Sequence, residues 1–200
     1  MSTNTPIKGD VSEDWETYAE DFIAIREQSV IGVDVVRAWS YNLPQETSIL
    51  DLGCGIGVPI ASALIEEGFR VFGIDASPTM VAAFNRQFTD MKAICEPVES
   101  STYFDRKFKG IVAIGLIFLL PNDIQRQLIH RISSSLEPKG HLLFSAPNQV
   151  CEWVDLTTGR TSRSLGEDTY IQLLSSAGLT LVDTYVDDGD NFYYHAMKVR

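Results

Sequence analysis

Residues 49–57 read Ile-Leu-Asp-Leu-Gly-Cys-Gly-Ile-Gly, "ILDLGCGIG": a short apolar run carrying one acid and ending in three glycines within five positions. Glycine loses more conformational freedom on folding than any other residue, so three together mark a chain that must turn tightly or pass close beneath a ligand. The apolar run before them has the length and composition of a buried strand.

Working outward from this stretch, strand and helix patterns alternate. "SILDLG" is followed by the helical "VPIASALIEEG", closed by Gly68, then by the strand "RVFGID". Ser77-Pro78 supplies an N-cap and a first-turn proline for the helix "TMVAAFNRQF". "KAICEPV" and "GIVAIGLIF" read as a third and fourth strand. "DIQRQLIHRISSSL" is a helix with Ile124, Leu128, Ile132 and Leu136 inward, and "EPKG" turns into the strand "HLLFSA". A final helix, "EDTYIQLLSSAGL", precedes the strands "TLVDTYV" and "FYYHAMKV", which the turn "DDGDN" pairs antiparallel. This rhythm predicts a single α/β domain over residues 13–200: a doubly wound, Rossmann-like, seven-stranded sheet, mostly parallel, with an antiparallel last strand.

Residues 1–12 offer almost nothing to bury and are expected to be a disordered tail. Residues 13–44 read as N-terminal helices forming a lid. Trp15, Tyr18, Phe22 and Ile25 fall on one helical face, and Val30, Val33, Val36, Ala38 and Trp39 on another. The polar stretch 147–164 is long for a plain connection and is expected to be a substrate-lid insertion.

Composition narrows the partners. The chain has 200 residues, 44% of them hydrophobic, and a formal net charge of −11. Its acids are densest in residues 1–48, where nine face only Lys8, Arg26 and Arg37. A nucleic-acid binder needs a concentrated basic face, and this chain has none. Cys54, Cys95 and Cys151 form no C-x-x-C pair and give no metal framework. With no signal region and no membrane-spanning apolar run, the expectation is a cytoplasmic protein acting on a small molecule without a membrane partner.

Two acids flank the glycines. Asp75 ends the second strand, 22 residues after Gly53, near the offset at which a carboxylate accepts hydrogen bonds from a ribose hydroxyl pair. Asp51 lies inside the apolar strand end, where an acid is costly unless a cleft solvates it or a cationic group pairs with it. The glycine spacing is G-x-G-x-G, not the G-x-G-x-x-G of pyrophosphate readers. Together these features favour a nucleoside carrying an amino acid over a dinucleotide, and they speak against a nicotinamide-dependent reductase.

As a set, these segments resemble the class I S-adenosylmethionine-dependent methyltransferases. "ILDLGCGIG" is similar to their first motif, "VFGIDAS" to the second, "KAICEPVES" to the third and "FKGIVAIGLIFLLP" to the fourth, with "LEPKGHLLFS" following. The resemblance is close over residues 45–146 and looser beyond. It implies S-adenosylmethionine as cofactor. Gly53, Cys54, Gly55 and Gly57 would line its amino acid part and ribose, Asp51 would stand near its amino group, and Asp75 would take the ribose hydroxyls. Ala76 and Met80 would flank the adenine, Glu96 or Glu99 together with the Val98 amide would read it from the third motif, and Gly115 would bind the cofactor from the fourth. Where many relatives have an Asp-Ala pair this chain has Pro97-Val98, and Pro97 offers neither an amide hydrogen nor a carboxylate.

Methyl transfer from a sulfonium needs alignment and exclusion of water more than a catalytic signature. The chain lacks the Asn/Asp-Pro-Pro-aromatic motif of adenine and amide methylation and the Pro-Cys of cytosine C5 enzymes. It also lacks the fourth-strand histidine of many small-molecule relatives. By resemblance the reaction is methylation of an oxygen or nitrogen of a small molecule. Tyr18, Arg26 and Trp153 are the candidates for contact with acceptor or cofactor, with Asp155 and Arg160 beside Trp153. Tyr18 and Arg26 also admit a plain core or surface role. His130 reads as exposed, His195 as structural, and Cys54 as a space-filler. Pro97 and the apolar "IFLL" keep open an alternative, a non-catalytic partner or sensor that binds the same cofactor.

Overall fold

The computed structural model describes residues 16–26, 29–155 and 158–200. The expected disordered tail and Trp15 lie outside these residues. A seven-stranded sheet forms the centre, in the order β3–β2–β1–β4–β5–β9–β8. Its strands are β1 (Ser48–Leu52), β2 (Arg70–Asp75), β3 (Lys92–Cys95), β4 (Phe108–Ala113), β5 (Leu136–Ser145), β8 (Leu179–Val186) and β9 (Phe192–Lys198). All pair in parallel except β9, which runs antiparallel to both β5 and β8. The expected architecture is therefore present. Six helices accompany it among the described residues: α1 (Ala19–Arg26), α2 (Val33–Ser40), α3 (Ile60–Glu66), α4 (Pro78–Gln87), α5 (Asn122–Ser135) and α6 (Glu167–Ser176).

Apolar clusters cover both sheet faces, as a parallel sheet requires. One gathers Leu50, Ile74, Ile111, Leu128, Ile132 and Phe144 with α5 and α6. The other gathers Ile49, Val71, Val112 and Leu143 with Trp39 of α2, Leu64 of α3 and Phe84 of α4. A third, small cluster of Ala19, Ile56 and Met80, with Phe22, Ile23 and Val58 against it, holds α1 over the carboxyl ends of β1 and β2. The predicted Ser77 cap forms, its hydroxyl accepting from the Met80 amide at 3.1 Å.

Three readings are corrected. The N-terminal helical pattern does not run through Val30 and Ala38. Gly32 adopts φ +82°, α2 starts after it, and its buried face is Val35, Val36 and Trp39, while Val30 is 78% exposed. The fourth strand ends at Ala113 because Gly115 turns left-handed (φ +71°), and Ile117–Leu119 then form a 3₁₀ turn. Leu136 is the first residue of β5 and pairs with Phe108, so it is not on the α5 helix. The "EPKG" turn survives as an irregularity within β5 marked by Lys139 at φ +57°. The polar stretch after β5 forms a hairpin, β6 (Val150–Val154) paired antiparallel with β7 (Thr161–Leu165). Buried Gln125 ties this hairpin down: its amide donates to the Leu120 and Arg163 carbonyls, and its oxygen accepts from the Tyr170 hydroxyl.

His195 is buried and structural, as expected. Its Nε2 meets His141 Nδ1 at 2.8 Å, and burial next to His141 pulls its pKa down to about 4. His130 is exposed on α5.

Gly57 has a packing role. At φ +86°, a methyl group there would stand 2.5 Å from Phe88 Cε2 and 2.8 Å from Phe84 Cδ2. Gly57→Ala should therefore lower the unfolding free energy by about 2–4 kcal/mol, from left-handed strain added to overpacking. Urea titration of both proteins measures this, and an unchanged midpoint would show that Phe84 and Phe88 give way freely.

Candidate functional site

The strand order reverses between β1 and β4, so the loops leaving their carboxyl ends diverge and open a crevice there. The crevice is walled by the glycine loop after β1, the end of β2, the segment after β3, the turn after β4, and Phe22 and Arg26 of α1.

The glycine loop is fastened to β2 by its own amides. Gly53 and Cys54 both donate to the Ile74 carbonyl, at 2.8 and 3.1 Å, and Gly55 donates to Asp75 Oδ2 at 2.8 Å. Asp75 Oδ1 accepts from the Ser77 amide at 2.9 Å. The glycines therefore serve close approach and loop geometry, and these amides are not free to point at a ligand. Cys54 fills space as expected: its Sγ occupies the room a side chain at Gly73 would need, 2.6 Å away.

Asp51 is 3% exposed and lines the crevice, and its Oδ2 has no hydrogen-bond partner. Burial, with the nearby Asp75 charge adding to it, pushes its pKa up to about 8 despite the opposing Arg26. Burial also raises Asp75, against the pull of its backbone hydrogen bonds. Arg26, in the last turn of α1, reaches back toward β4: its Nη2 lies 3.1 Å from where a Cβ on Gly115 would be.

The structure brings together Asp51, Gly53, Cys54, Gly55, Asp75, Ala76, Met80, Val98, Gly115 and Arg26 as crevice lining. From the third motif Pro97 and Glu99 line it as well, whereas Glu96 does not, although one of its carboxylate oxygens is buried without a partner. Gly57 faces Phe84 and Phe88 instead. Tyr18, on the turn before α1, is outside the lining. Trp153 is too: its ring packs against Phe118 at 5.4 Å, buttressing the turn whose Leu119 reaches the crevice. Asp155 Oδ1 accepts from the Thr158 amide and hydroxyl, a local turn-forming role for this contact candidate.

Sequence reasoning missed Glu16. Its carboxylate accepts from the hydroxyls of Ser77 and Thr79, and from the Thr79 amide at 3.3 Å, pinning the N-terminal segment over the β2 loop. These bonds hold its pKa below the usual carboxylate range. Nothing local in the sequence marks Glu16 among eight other acids nearby. Also missed was the lining by Ile60, Ile114 and Leu116, whose apolar character reads as ordinary core.

The model of a family described as "Methyltransferase domain" matches residues 24–184. The chain belongs to the class I S-adenosylmethionine-dependent methyltransferases. Among curated proteins, the carboxy-S-adenosyl-L-methionine synthase of Chromohalobacter salexigens is 33% identical over 107 residues. That match covers 48% of this chain but only 38% of the relative's length. Among solved structures the fold recurs in the 1,6-didemethyltoxoflavin-N1-methyltransferase of Burkholderia thailandensis, with bound 1,6-didemethyltoxoflavin and S-adenosylhomocysteine. The TM-score is 0.72 at 19% identity, over 99% of this chain and 94% of that one. The magnesium protoporphyrin IX methyltransferase of Synechocystis PCC 6803 with bound S-adenosylmethionine gives 0.72 at 18% identity, over 98% and 100%. The CcbJ methyltransferase of Streptomyces caelestis gives 0.76 at 14%, over 96% and 100%. No helix among the described residues of this methyltransferase is long and apolar enough to cross a membrane.

Asp51 should cost the free methyltransferase stability. A carboxyl whose folded pKa is raised binds more protons folded than unfolded between about pH 4 and 8, so stability falls as pH rises through that window. Asp51→Asn is expected to stabilise the ligand-free protein by about 1–3 kcal/mol at pH 8 and by progressively less toward pH 4. Thermal unfolding across this range would reveal the effect, and equal gains at both ends would contradict it.

Proposed function

We propose that the protein transfers a methyl group from S-adenosylmethionine to an oxygen or nitrogen of a small-molecule acceptor. The observation that carries this reading is the buried Asp51 carboxylate, left with an unpartnered oxygen at the switch point of the sheet. A buried acid with an orphaned oxygen that lines a crevice is explained by a cationic group bound there, and the cofactor's ammonium is one.

The residues present fit the cofactor. Asp75 spends one lone pair of each oxygen on the Gly55 and Ser77 amides, which orients it and leaves capacity for a ribose hydroxyl pair. Ala76, Met80 and Val98 form a slot suited to a purine, with Glu99 at its edge. Gly53 and Gly55 keep the loop floor low enough for close approach. When bound, the cofactor supplies an electrophilic methyl on a positively charged sulfur. Beyond Gly115 the wall is apolar: Ile60, Ile114, Leu116, Leu119 and Leu120 exclude water around the acceptor and hold it against the cofactor half. Among the described residues this wall offers no carboxylate or imidazole as a base. Rate enhancement then comes from proximity and desolvation, and the acceptor atom presents its own lone pair.

The site predicts measurable binding of S-adenosylhomocysteine by calorimetry; no binding at high-micromolar protein would end the proposal. Asp75→Ala should weaken that binding by about 1–3 kcal/mol, the loss of a charged hydrogen-bond pair. Unchanged affinity would mean the ribose lies elsewhere. Incubation with labelled S-adenosylmethionine and a metabolite extract should yield a methylated small molecule. Binding without any product would instead favour a cofactor sensor, the role that the lack of a base on the acceptor wall would also suit.

A further inference from the structure

The crevice wall after β3 carries two backbone amides that the fold leaves unspent. Val98 is 6% exposed and lines the crevice with Glu99, yet neither residue's N–H donates a hydrogen bond among the described residues. Pro97, which lines it beside them, has no N–H to offer. A buried amide without a protein partner is rare unless water or a ligand takes it.

Both amides have their directions fixed from behind. In a trans peptide the N–H and the C=O point opposite ways, so whatever holds the carbonyl also aims the amide. The Pro97 carbonyl accepts from the Ser100 and Ser101 amides, at 3.1 and 2.9 Å, which sets the peptide carrying the Val98 N–H. The Val98 carbonyl accepts from the Tyr103 hydroxyl at 2.9 Å, which sets the peptide carrying the Glu99 N–H. The first constraint is local turn geometry. The second comes from a buried side chain held in a costly conformation. Tyr103, Phe104 and Asp105 are three successive non-glycine residues with left-handed backbones, at φ +52°, +59° and +50°. Such conformations persist only where surrounding contacts over-determine them. Here the contacts converge on Tyr103. It is 2% exposed, and its amide donates to Ser101 Oγ at 3.1 Å. The Arg131 guanidinium of α5 lies over its ring at 5.4 Å while donating to the Ser101 carbonyl. Burial pushes the Tyr103 hydroxyl up to about 12, so it stays a donor to Val98.

We propose that Tyr103 is a positioning residue for the cofactor's adenine, holding the Val98–Glu99 peptide so that this wall presents its donors to the ring's acceptor nitrogen. This rests on the methyltransferase reading of the crevice. Adenine carries an acceptor at N1 beside a donor amino group, and an amide next to the Glu99 carboxylate offers the complementary pair. Hypoxanthine has a proton on N1 and an oxo group in place of the amine, so the same wall meets donor with donor and acceptor with acceptor. The left-handed turn is what brings the Tyr103 hydroxyl under Val98, and Arg131 braces it there.

The test compares S-adenosylhomocysteine with its deaminated analogue S-inosylhomocysteine by calorimetry on the full chain. The wild type should bind the adenosyl compound at least about tenfold more tightly, since the analogue leaves the wall's polar groups unpaired. Tyr103→Phe removes one oxygen and keeps the ring. It should narrow that preference to less than about threefold, chiefly by weakening S-adenosylhomocysteine. Arg131→Met, which removes the brace over the ring, should shift the preference the same way, and it decides the question if Tyr103→Phe does not fold. A purely structural role would lower the urea midpoint and weaken both ligands alike. An unchanged preference in the variants would therefore overturn the proposal, as would equal binding of the two ligands by the wild type. Either result leaves the proposed function standing. Failure of the wild type to bind S-adenosylhomocysteine at all would remove that parent reading, and this one with it.

Discussion

The crevice depends on one carboxylate bridging two strands. Asp75, at the end of β2, accepts from the Gly55 amide with one oxygen and from the Ser77 amide with the other. The first bond holds the glycine loop of β1 down, and the second starts α4 at the Ser77 cap. Without the first, the two amide bonds to the Ile74 carbonyl would be what ties the loop to β2 among the described residues. Charge-assisted hydrogen bonds of this kind are about twice as strong as neutral ones, and here they offset the burial that raises the carboxyl's pKa. Glu16 then adds a second layer, binding Ser77 and Thr79 and so fixing the N-terminal segment over the same corner. Asp75 is thus first a structural clamp, and its orientation is set before any ligand arrives.

The sheet was legible because its signals are local and redundant. Short apolar strands, glycine and proline punctuation and the Ser77-Pro78 cap all point the same way, and the "DDGDN" turn decides the last pairing. The errors fall where tertiary contacts override pattern. "GIVAIGLIF" has strand composition throughout, but Gly115 turns left-handed, so the run breaks into a 3₁₀ turn instead of lengthening β4. Gly57 has the look of a ligand-facing glycine, yet its neighbours are two phenylalanines thirty residues away, which no local reading reveals. Trp153 and Asp155 have the chemistry of contact residues, but one braces a turn and the other closes one.

The cofactor half of the site was readable and the acceptor half was not, for a physical reason. Binding a nucleoside with an amino acid calls for charged and backbone groups at set offsets, and those leave marks such as Asp51, Asp75 and the glycine spacing. Excluding water around a methyl acceptor calls only for carbon. Ile114, Leu116 and Leu119, which line the crevice, are residues that any buried turn would use. Glu16 was hidden for the opposite reason: it is one acid among nine in an acidic segment, and only its partners single it out.

Asp51 and Arg26 together show why this site is stored at a cost. They lie close enough to feel each other's charge, yet among the described residues they form no ion pair, and Asp51 keeps an unpartnered oxygen. A direct pair would stabilise the free protein but would occupy both groups. Held apart, both groups stay on the crevice lining, Asp51 at the end of β1 and Arg26 beside Gly115. Burial and the Asp75 charge both favour the protonated form of Asp51, so a positive charge brought beside it favours the ionised one. The apolar wall around them makes each unpaired charge more costly and each correct partner more valuable.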